Sequence, residues 1–273
     1  MGTKRFLIAA LLGATMATPA VAQIDDEISD FGVWTSVGVE KKINKKWGVE
    51  FEGEFRTADA LNEVARYSFS LSTDYKLTSW LKAEAGYVFL RDNNLASFKE
   101  EPIDEEDLGW VIQQGELTDA YWTTRHRVNV ALVGSVKLDR VKISLRERWQ
   151  YTYRPETSKT ETDYVFYDPS LPLEPEVGEP KSKIVKGKGS NVLRSRLQVA
   201  YDIKGVPFEP YASVELYNDF KDLTLKKTRY TIGGDYKITK QHSVGLYYRY
   251  QDFSGNDEGE STHILGVGYK FKF

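Results

Sequence analysis

The stretch WGVEFEGEFRT, residues 47–57, decides the fold. Its odd positions put Trp47, Val49, Phe51 and Phe55 on one side, and its even positions put Glu50, Glu52, Glu54 and Arg56 on the other. Successive side chains of a strand point to opposite faces, so this period of two describes a strand with one oily and one ionised face. The pattern recurs along the chain. Residues 64–76 set Tyr67, Phe69 and Leu71 against Arg66, Ser68, Ser70 and Ser72, and residues 242–252 set Val244, Leu246, Tyr248 and Tyr250 against Arg249 and Gln251. Strands are predicted at 31–41, 47–57, 64–76, 80–90, 120–136, 141–154, 190–202, 208–218, 225–237, 242–252 and 262–273. That count is odd, whereas single-chain bacterial barrels use even numbers, so a further short strand is expected within 24–30, giving about 12 strands in a range of roughly 10–14.

Two architectures fit such alternation. A soluble lipocalin-like barrel turns its oily face inward, and a membrane-spanning barrel turns it outward. Four features favour the membrane. Aromatic residues collect near strand ends, with Trp47 and Trp80 beside short turns and Trp34, Trp122, Trp149, Tyr151 and Tyr153 toward longer connections, as in interfacial girdles. The polar face mixes charges with Ser68, Ser70, Ser72, Gly86, Ser213, Gly266 and Gly268, as a narrow lumen requires. Opposite charges are expected to meet across strands: Asp74 with Lys82, Arg194 and Arg196 with Glu215, Glu54 with Arg66. The chain ends GVGYKFKF, with Tyr269, Phe271 and Phe273 on one face, similar to the C-terminal assembly signal of Gram-negative outer-membrane barrels.

Composition sets the remaining bounds. Lys4 and Arg5, the apolar run FLIAALLGATMA and the small residues of Ala20-Val21-Ala22 read as a signal peptide over 1–22, leaving one domain at 23–273. With no cysteine there is no disulfide and no thiolate metal site, and a net charge of −3 argues against nucleic-acid binding. Connections near residues 44, 78, 139, 205 and 240 are short, and those at 91–119 and 155–189 are long and acidic, including the proline-rich DPSLPLEPEVGEP, which is expected to be extended and mobile. This asymmetry matches short periplasmic turns and long outer loops. The acidic run 103–109 lacks the EF-hand pattern and reads as a solvated loop.

The chain also resembles a family described as domain of unknown function 2490, whose fold is taken to be an outer-membrane β-barrel. The resemblance rests on FGVWTSVGVEKKINKKWGVEFEGEFR at 31–56, YKLTSWLKAEAGYVFLRD at 75–92, and RHRVNV and SLRERWQYTYR at 125–130 and 144–154. It implies location and fold, and carries no activity and no catalytic residues.

The candidate site is the lumen. Arg125 and Arg127, Arg146 and Arg148, and Arg194 and Arg196 form three Arg-x-Arg pairs on consecutive polar faces, with Arg127 expected opposite Gln150. Together with Arg66, Lys82, Arg229 and Arg249, and facing Glu50, Glu52, Glu54, Glu84 and Glu215, they suggest an anion-attracting constriction. A salt-bridged plug that fills the barrel is the alternative. His126, His242 and His263 all have lipid-facing parity and no metal-ligand spacing, so neither a hydrolase nor a metal site is expected, and no cofactor. The overall expectation is an all-β, transmembrane, antiparallel up-and-down barrel of the outer membrane acting as a narrow porin-like channel. The alternative is a non-conducting surface-interaction barrel. Expected partners are outer-membrane lipid and lipopolysaccharide, the barrel-assembly machinery, and a small anionic solute.

Overall fold

The structure is a computed structural model that describes residues 30–58, 61–103, 107, 109–253 and 261–273. The expected leader at 1–22, most of the acidic run 103–109, and all of 24–30 but Asp30 lie outside the described residues. The strands are β1 (Asp30–Lys42), β2 (Trp47–Ala58), β3 (Glu63–Lys76), β4 (Leu81–Asn94), β5 (Ser97–Glu100), β6 (Val111–Thr118), β7 (Tyr121–Leu138) and β8 (Val141–Arg154). They continue with β9 (Thr157–Tyr167), β10 (Glu176–Val177), β11 (Lys181–Val185), β12 (Lys188–Tyr201), β13 (Phe208–Asp219), β14 (Leu225–Lys237), β15 (His242–Phe253) and β16 (Thr262–Lys272).

Eleven of these close a barrel in the order β1-β2-β3-β4-β7-β8-β12-β13-β14-β15-β16, and they are the eleven strands that the periodicity places. The expected count of about 12 is thereby replaced by 11, inside the expected range of roughly 10–14. Every neighbouring pair is antiparallel except the closing one, where β1 and β16 run parallel from Asp30↔Thr262 to Glu40↔Lys272. Strands that alternate up and down an odd number of times leave the first and last pointing the same way, so closure requires a parallel seam. The seam is extended at its end by Phe273, whose N–H donates to the Glu40 carbonyl at 3.0 Å.

Burial answers which medium each face sees. Phe51, Phe69, Leu71, Val130, Leu132, Leu145, Leu197, Ile232 and Leu246 are all exposed on the outside, while Ser68, Asp92, Asn129, Arg146, Gln150, Glu215 and Gln251 are buried within. An apolar band encircling the cylinder far exceeds the patch a soluble monomer shows, and hydrocarbon is the solvent that such a band fits. The protein is a transmembrane β-barrel with a polar lumen.

Three short turns share one device. Asn44, Thr78 and Thr239 each follow Lys-Ile or Lys-Leu, and each side-chain oxygen accepts the N–H three residues on, from Trp47, Leu81 and His242, at 2.9–3.0 Å. Asn and Thr favour this local bond, so it fixes the turn and with it the hairpin register. The two-residue turn after β7 needs a left-handed residue, and Asp139 supplies it at φ 52°.

The two long connections do not remain loops. They fold into a second sheet in the order β5-β6-β9-β10, with β11 also pairing β9. Their feet are adjacent because β4, β7, β8 and β12 are consecutive in the wall. Phe98 and Tyr164 pack against Phe166 at 6.2 and 6.0 Å on one face of this sheet. On the other face Glu161 pairs with Lys159 and, at 2.8 Å, with Lys183. Even the proline-rich run, expected to be mobile, is pinned where Glu176–Val177 pairs with Tyr164–Val165.

Candidate functional site

Inside the barrel lies a cavity of about 1480 Å³. Its wall carries Arg56, Arg66, Arg125, Arg127, Arg146, Arg148, Arg194, Arg196, Arg229 and Arg249, drawn from seven strands, with Lys188, Lys221, Lys226 and Lys227 toward the long-connection end. Among the described residues five carboxylates, Glu50, Glu52, Glu54, Glu215 and Asp219, line the same space. Lys82 and Glu84 lie nearer the short turns and do not line it, although they share the lumen face and pair with each other at 2.8 Å. None of the residues of β5, β6, β9, β10 or β11 lines the cavity.

The carboxylates are shared. Glu215 receives Arg146 at 2.5 Å, Arg194 at 3.0 Å and the Tyr217 hydroxyl at 3.0 Å, with Arg229 at 4.0 Å. Asp92 holds both Arg66 and, at 3.0 Å, Arg125. Glu54 takes Arg56 at 2.6 Å, and Glu84 reaches across to Arg148 at 3.4 Å. Around these bridges like charges oppose one another. Arg146 faces Arg196 and Arg148 faces Arg194 between β8 and β12, and Arg56 faces Arg66 between β2 and β3. Directly opposed like charges destabilise a ladder unless something between them is negative.

Several expected placements change. Trp34 is not in a girdle: it lies on the lumen face opposite Arg56, which stacks over its ring at 3.5 Å, with Arg249 at 5.0 Å and Arg229 at 5.4 Å. The cause is parity, since Trp34 shares its face with Ser36, Gly38 and Glu40. Arg127 is opposite Thr152 rather than Gln150, and donates to its hydroxyl at 3.2 Å. Asp74 is directly opposite Glu84, with Lys82 one diagonal step away and paired to Glu84 instead, and Arg66 turns to Asp92 rather than Glu54. The expected placement of Arg194 and Arg196 near Glu215 is present: Arg194 pairs with it at 3.0 Å, and Arg196 stands directly opposite it between β12 and β13.

The other aromatic residues expected in girdles do lie outside. Trp47 packs edge-on to Tyr75 at 5.3 Å, Trp122 stacks on Tyr67 at 5.6 Å, and Trp80 is exposed beside its short turn. Trp149, Tyr151 and Tyr153 have the parity opposite to the lumen-facing Arg146, Arg148 and Gln150. Tyr269 and Phe271 face outward with Phe273, whose ring stacks on Phe271 at 5.7 Å. Each histidine also lies outside and meets a tyrosine hydroxyl: His126 with Tyr87 at 2.7 Å, His242 with Tyr269 at 2.6 Å, and His263 with Tyr248.

Several lumen residues are not evident from the sequence, among them Asp92, Tyr217 and Phe253. Asp92 lies two residues past the predicted end of its strand, on the parity already set by Lys82 and Glu84. Tyr217 has lumen parity but is aromatic, so composition points the wrong way, whereas Tyr247 is on the polar face that alternation in 242–252 assigns it. The Tyr247 ring fills the space over Gly266, where a Cβ would come within 2.0 Å of it. Phe253, at the cavity rim, sits under Lys227 at 5.1 Å.

A family profile described as "Protein of unknown function (DUF2490)" matches residues 31–261. No curated protein matches the chain. Among solved structures it is similar to a Pseudomonas aeruginosa FadL homologue, at TM-score 0.36 and 11% identity over 77% of this chain, spanning only 58% of that one. It is also similar to the monoaromatic hydrocarbon channel CymD, at TM-score 0.34 and 8% identity over 77% of this chain and 75% of that one. A third is the translocator domain of the autotransporter NalP from Neisseria meningitidis, at TM-score 0.30 and 12% identity over 87% and 86% of the two chains.

Proposed function

The chain belongs to the DUF2490 family, and we propose that it is a narrow, passive barrel of the Gram-negative outer membrane whose lumen admits small anions, with no covalent chemistry. The observation that carries this reading is the charge of the cavity: among the described residues, fourteen basic side chains against five lining carboxylates, or seven with Asp92 and Glu84, which pair with lining arginines, in a chain whose net charge is −3. A plug that merely fills space would be closer to neutrality, because unpaired charge in a confined volume is costly. Rings of arginine set anion preference in pores.

Planar-bilayer recording tests the proposal. Folded protein is expected to give steady steps with anion selectivity, and Arg196→Glu is expected to reduce that selectivity. Cation selectivity, or selectivity indifferent to Arg196→Glu, refutes it. Export would proceed by the expected leader, and insertion by recognition of Tyr269, Phe271 and Phe273 by the assembly machinery. For the absence of hydrolase activity, the check is a lipase and protease assay that His126→Ala leaves unchanged.

A second reading is favoured by the extra sheet. It exposes Ile112 and Ile184, lines no part of the cavity and stands at the long-connection end. A non-conducting barrel acting through that sheet, in contact with lipopolysaccharide or another surface partner, is the form this reading takes. Electrical silence from heat-modifiable, folded protein would favour it.

A further inference from the structure

We propose that the lumen is a retaining site for one multiply charged oxyanion, bearing several phosphate or carboxylate groups, seated on Arg127, Arg196 and Arg249. The inference rests on the anion-admitting reading of the cavity and adds the class of ligand.

The protein's own carboxylates show the binding mode. Glu215 is held by two guanidinium groups and a phenol, and Asp92 by two guanidinium groups. With these bridges, those of Arg56 to Glu54 and Arg148 to Glu84, and the 4.0 Å approach of Arg229 to Glu215, three of the ten wall arginines are left over. Among the described residues, Arg127 bonds only the Thr152 hydroxyl, at 3.2 Å, and Arg249 bonds the Thr231 hydroxyl, at 3.1 Å, while stacking on Trp34 and Tyr247. Among the described residues Arg196 has no carboxylate within ion-pairing distance: it stands between Arg146 on β8 and Glu215 on β13, and the two Glu215 oxygens are taken by Arg146 and Arg194. The Nε atoms of Arg146, Arg148 and Arg194 are buried and make no hydrogen bond. The wall thus offers unspent donors next to mutually repelling charges.

Arginine rather than lysine supplies this surplus in the middle of the barrel. The planar fork matches the paired oxygens of carboxylate and phosphate, and it discriminates against a spherical halide. Valence follows from layout. The three arginines stand on β7, β12 and β15, so a single charge satisfies one of them and leaves the others. A ligand carrying several charges on one skeleton makes its second and third contacts at high effective concentration. The cavity, about 1480 Å³, has room for such a ligand together with water.

The test is equilibrium binding to folded protein in detergent at constant ionic strength, with tripolyphosphate, citrate, inorganic phosphate, acetate and chloride as probes. Calorimetry gives stoichiometry. Trp34 gives an optical signal, being the one lumen-facing tryptophan among the described residues and lying under Arg56, Arg229 and Arg249. Tripolyphosphate or citrate is expected to bind saturably at one site per barrel, at least about tenfold tighter than the monovalent anions, and whichever binds tighter identifies the phosphate or the carboxylate source. Arg127→Gln with Arg196→Gln is expected to weaken binding by a further factor of about ten or more, with heat-modifiability and circular dichroism unchanged. Equal, non-saturating responses to all five anions overturn the proposal, as does binding untouched by the double variant in a folded barrel. A barrel that conducts anions without saturable binding refutes this site and keeps the channel. A silent barrel that binds refutes the channel and keeps the site.

Discussion

Glu215→Gln tests the charge economy of the lumen most directly. Glu215 has a side chain only 8% exposed, and its partners Arg146 and Arg194 are 9% and 12% exposed, so water screens these bridges little. Removing one partner of a buried pair costs about 3–5 kcal/mol, because the other charges stay buried and uncompensated. Glutamine keeps the volume and still accepts a hydrogen bond through its amide oxygen, which points to the lower end, about 3 kcal/mol. The cost has a clear structural origin. Without the carboxylate, Arg146 and Arg194 face Arg196 and Arg148 across the ladder with only Glu84, 3.4 Å from Arg148, left to offset them. Urea unfolding in phospholipid vesicles, followed by tryptophan fluorescence, measures it. The control is Glu209→Gln, whose partner Lys237 is 59% exposed, and its expected loss is below about 1 kcal/mol. Tripolyphosphate at a hundred times its Kd should return about 2.7 kcal/mol to Glu215→Gln by mass action. A loss below about 1 kcal/mol for Glu215→Gln would refute the reasoning, since the bridge would then behave as a solvated surface pair.

The remaining predictions address the exterior, the added sheet and the topology. Brominated lipids should quench single-tryptophan variants that retain Trp47, Trp80, Trp122 or Trp149 and spare one that retains Trp34; quenching of Trp34 would reverse its assignment to the lumen. Hydrogen bonds from Lys159 and Lys183 hold the Glu161 carboxyl at about 2, below its ordinary 4.5. A depressed carboxylate stabilises the fold above its ordinary value and loses that contribution as pH falls toward the folded one, so pepsin cleavage within 157–185 should rise as pH drops from 4.5 toward about 2. Glu161→Gln should remove that acid limb and raise cleavage at the upper end of the range; an unchanged profile would count against the bridge. Because β1 and β16 run parallel, β1 starts at the long-connection end. An epitope placed just before Asp30 and one placed in 168–175 should therefore be accessible on the same side of intact cells, and labelling from opposite sides would contradict the parallel seam.

Most of the barrel was legible because its information is periodic. Alternation of two is a local property, and a strand such as 47–57 declares both faces without reference to any neighbour. Which face meets lipid needed only the chemistry of the two faces. What the sequence hid was pairing. The partner of Arg66 is Asp92 because register across β3 and β4 brings Arg66 opposite Asp92, and register depends on turn geometry that composition expresses weakly. The second sheet was hidden for the same reason: β6 and β9 come from connections more than 30 residues apart in sequence, and each by itself is a short polar strand.

Trp34 shows the remaining difficulty in one residue. Two rules bear on it, and they conflict. Its position near a strand end, with an amphipathic ring, points to the interface. Its parity points to the lumen. Parity wins because a one-residue slip would carry the whole of β1 with it, placing Val33 and Val37 among the arginines and Ser36 and Glu40 in hydrocarbon. The environment then uses the ring: three guanidinium groups gather on its faces, where the quadrupole attracts cations. An aromatic side chain in the lumen is thus a substitute for a carboxylate that holds arginines in place without neutralising them. Glu215 both positions and neutralises its arginines, whereas Trp34, Tyr217 and Tyr247 position theirs and leave the charge in place. The positive field of the lumen survives because a large part of its scaffolding is aromatic rather than acidic.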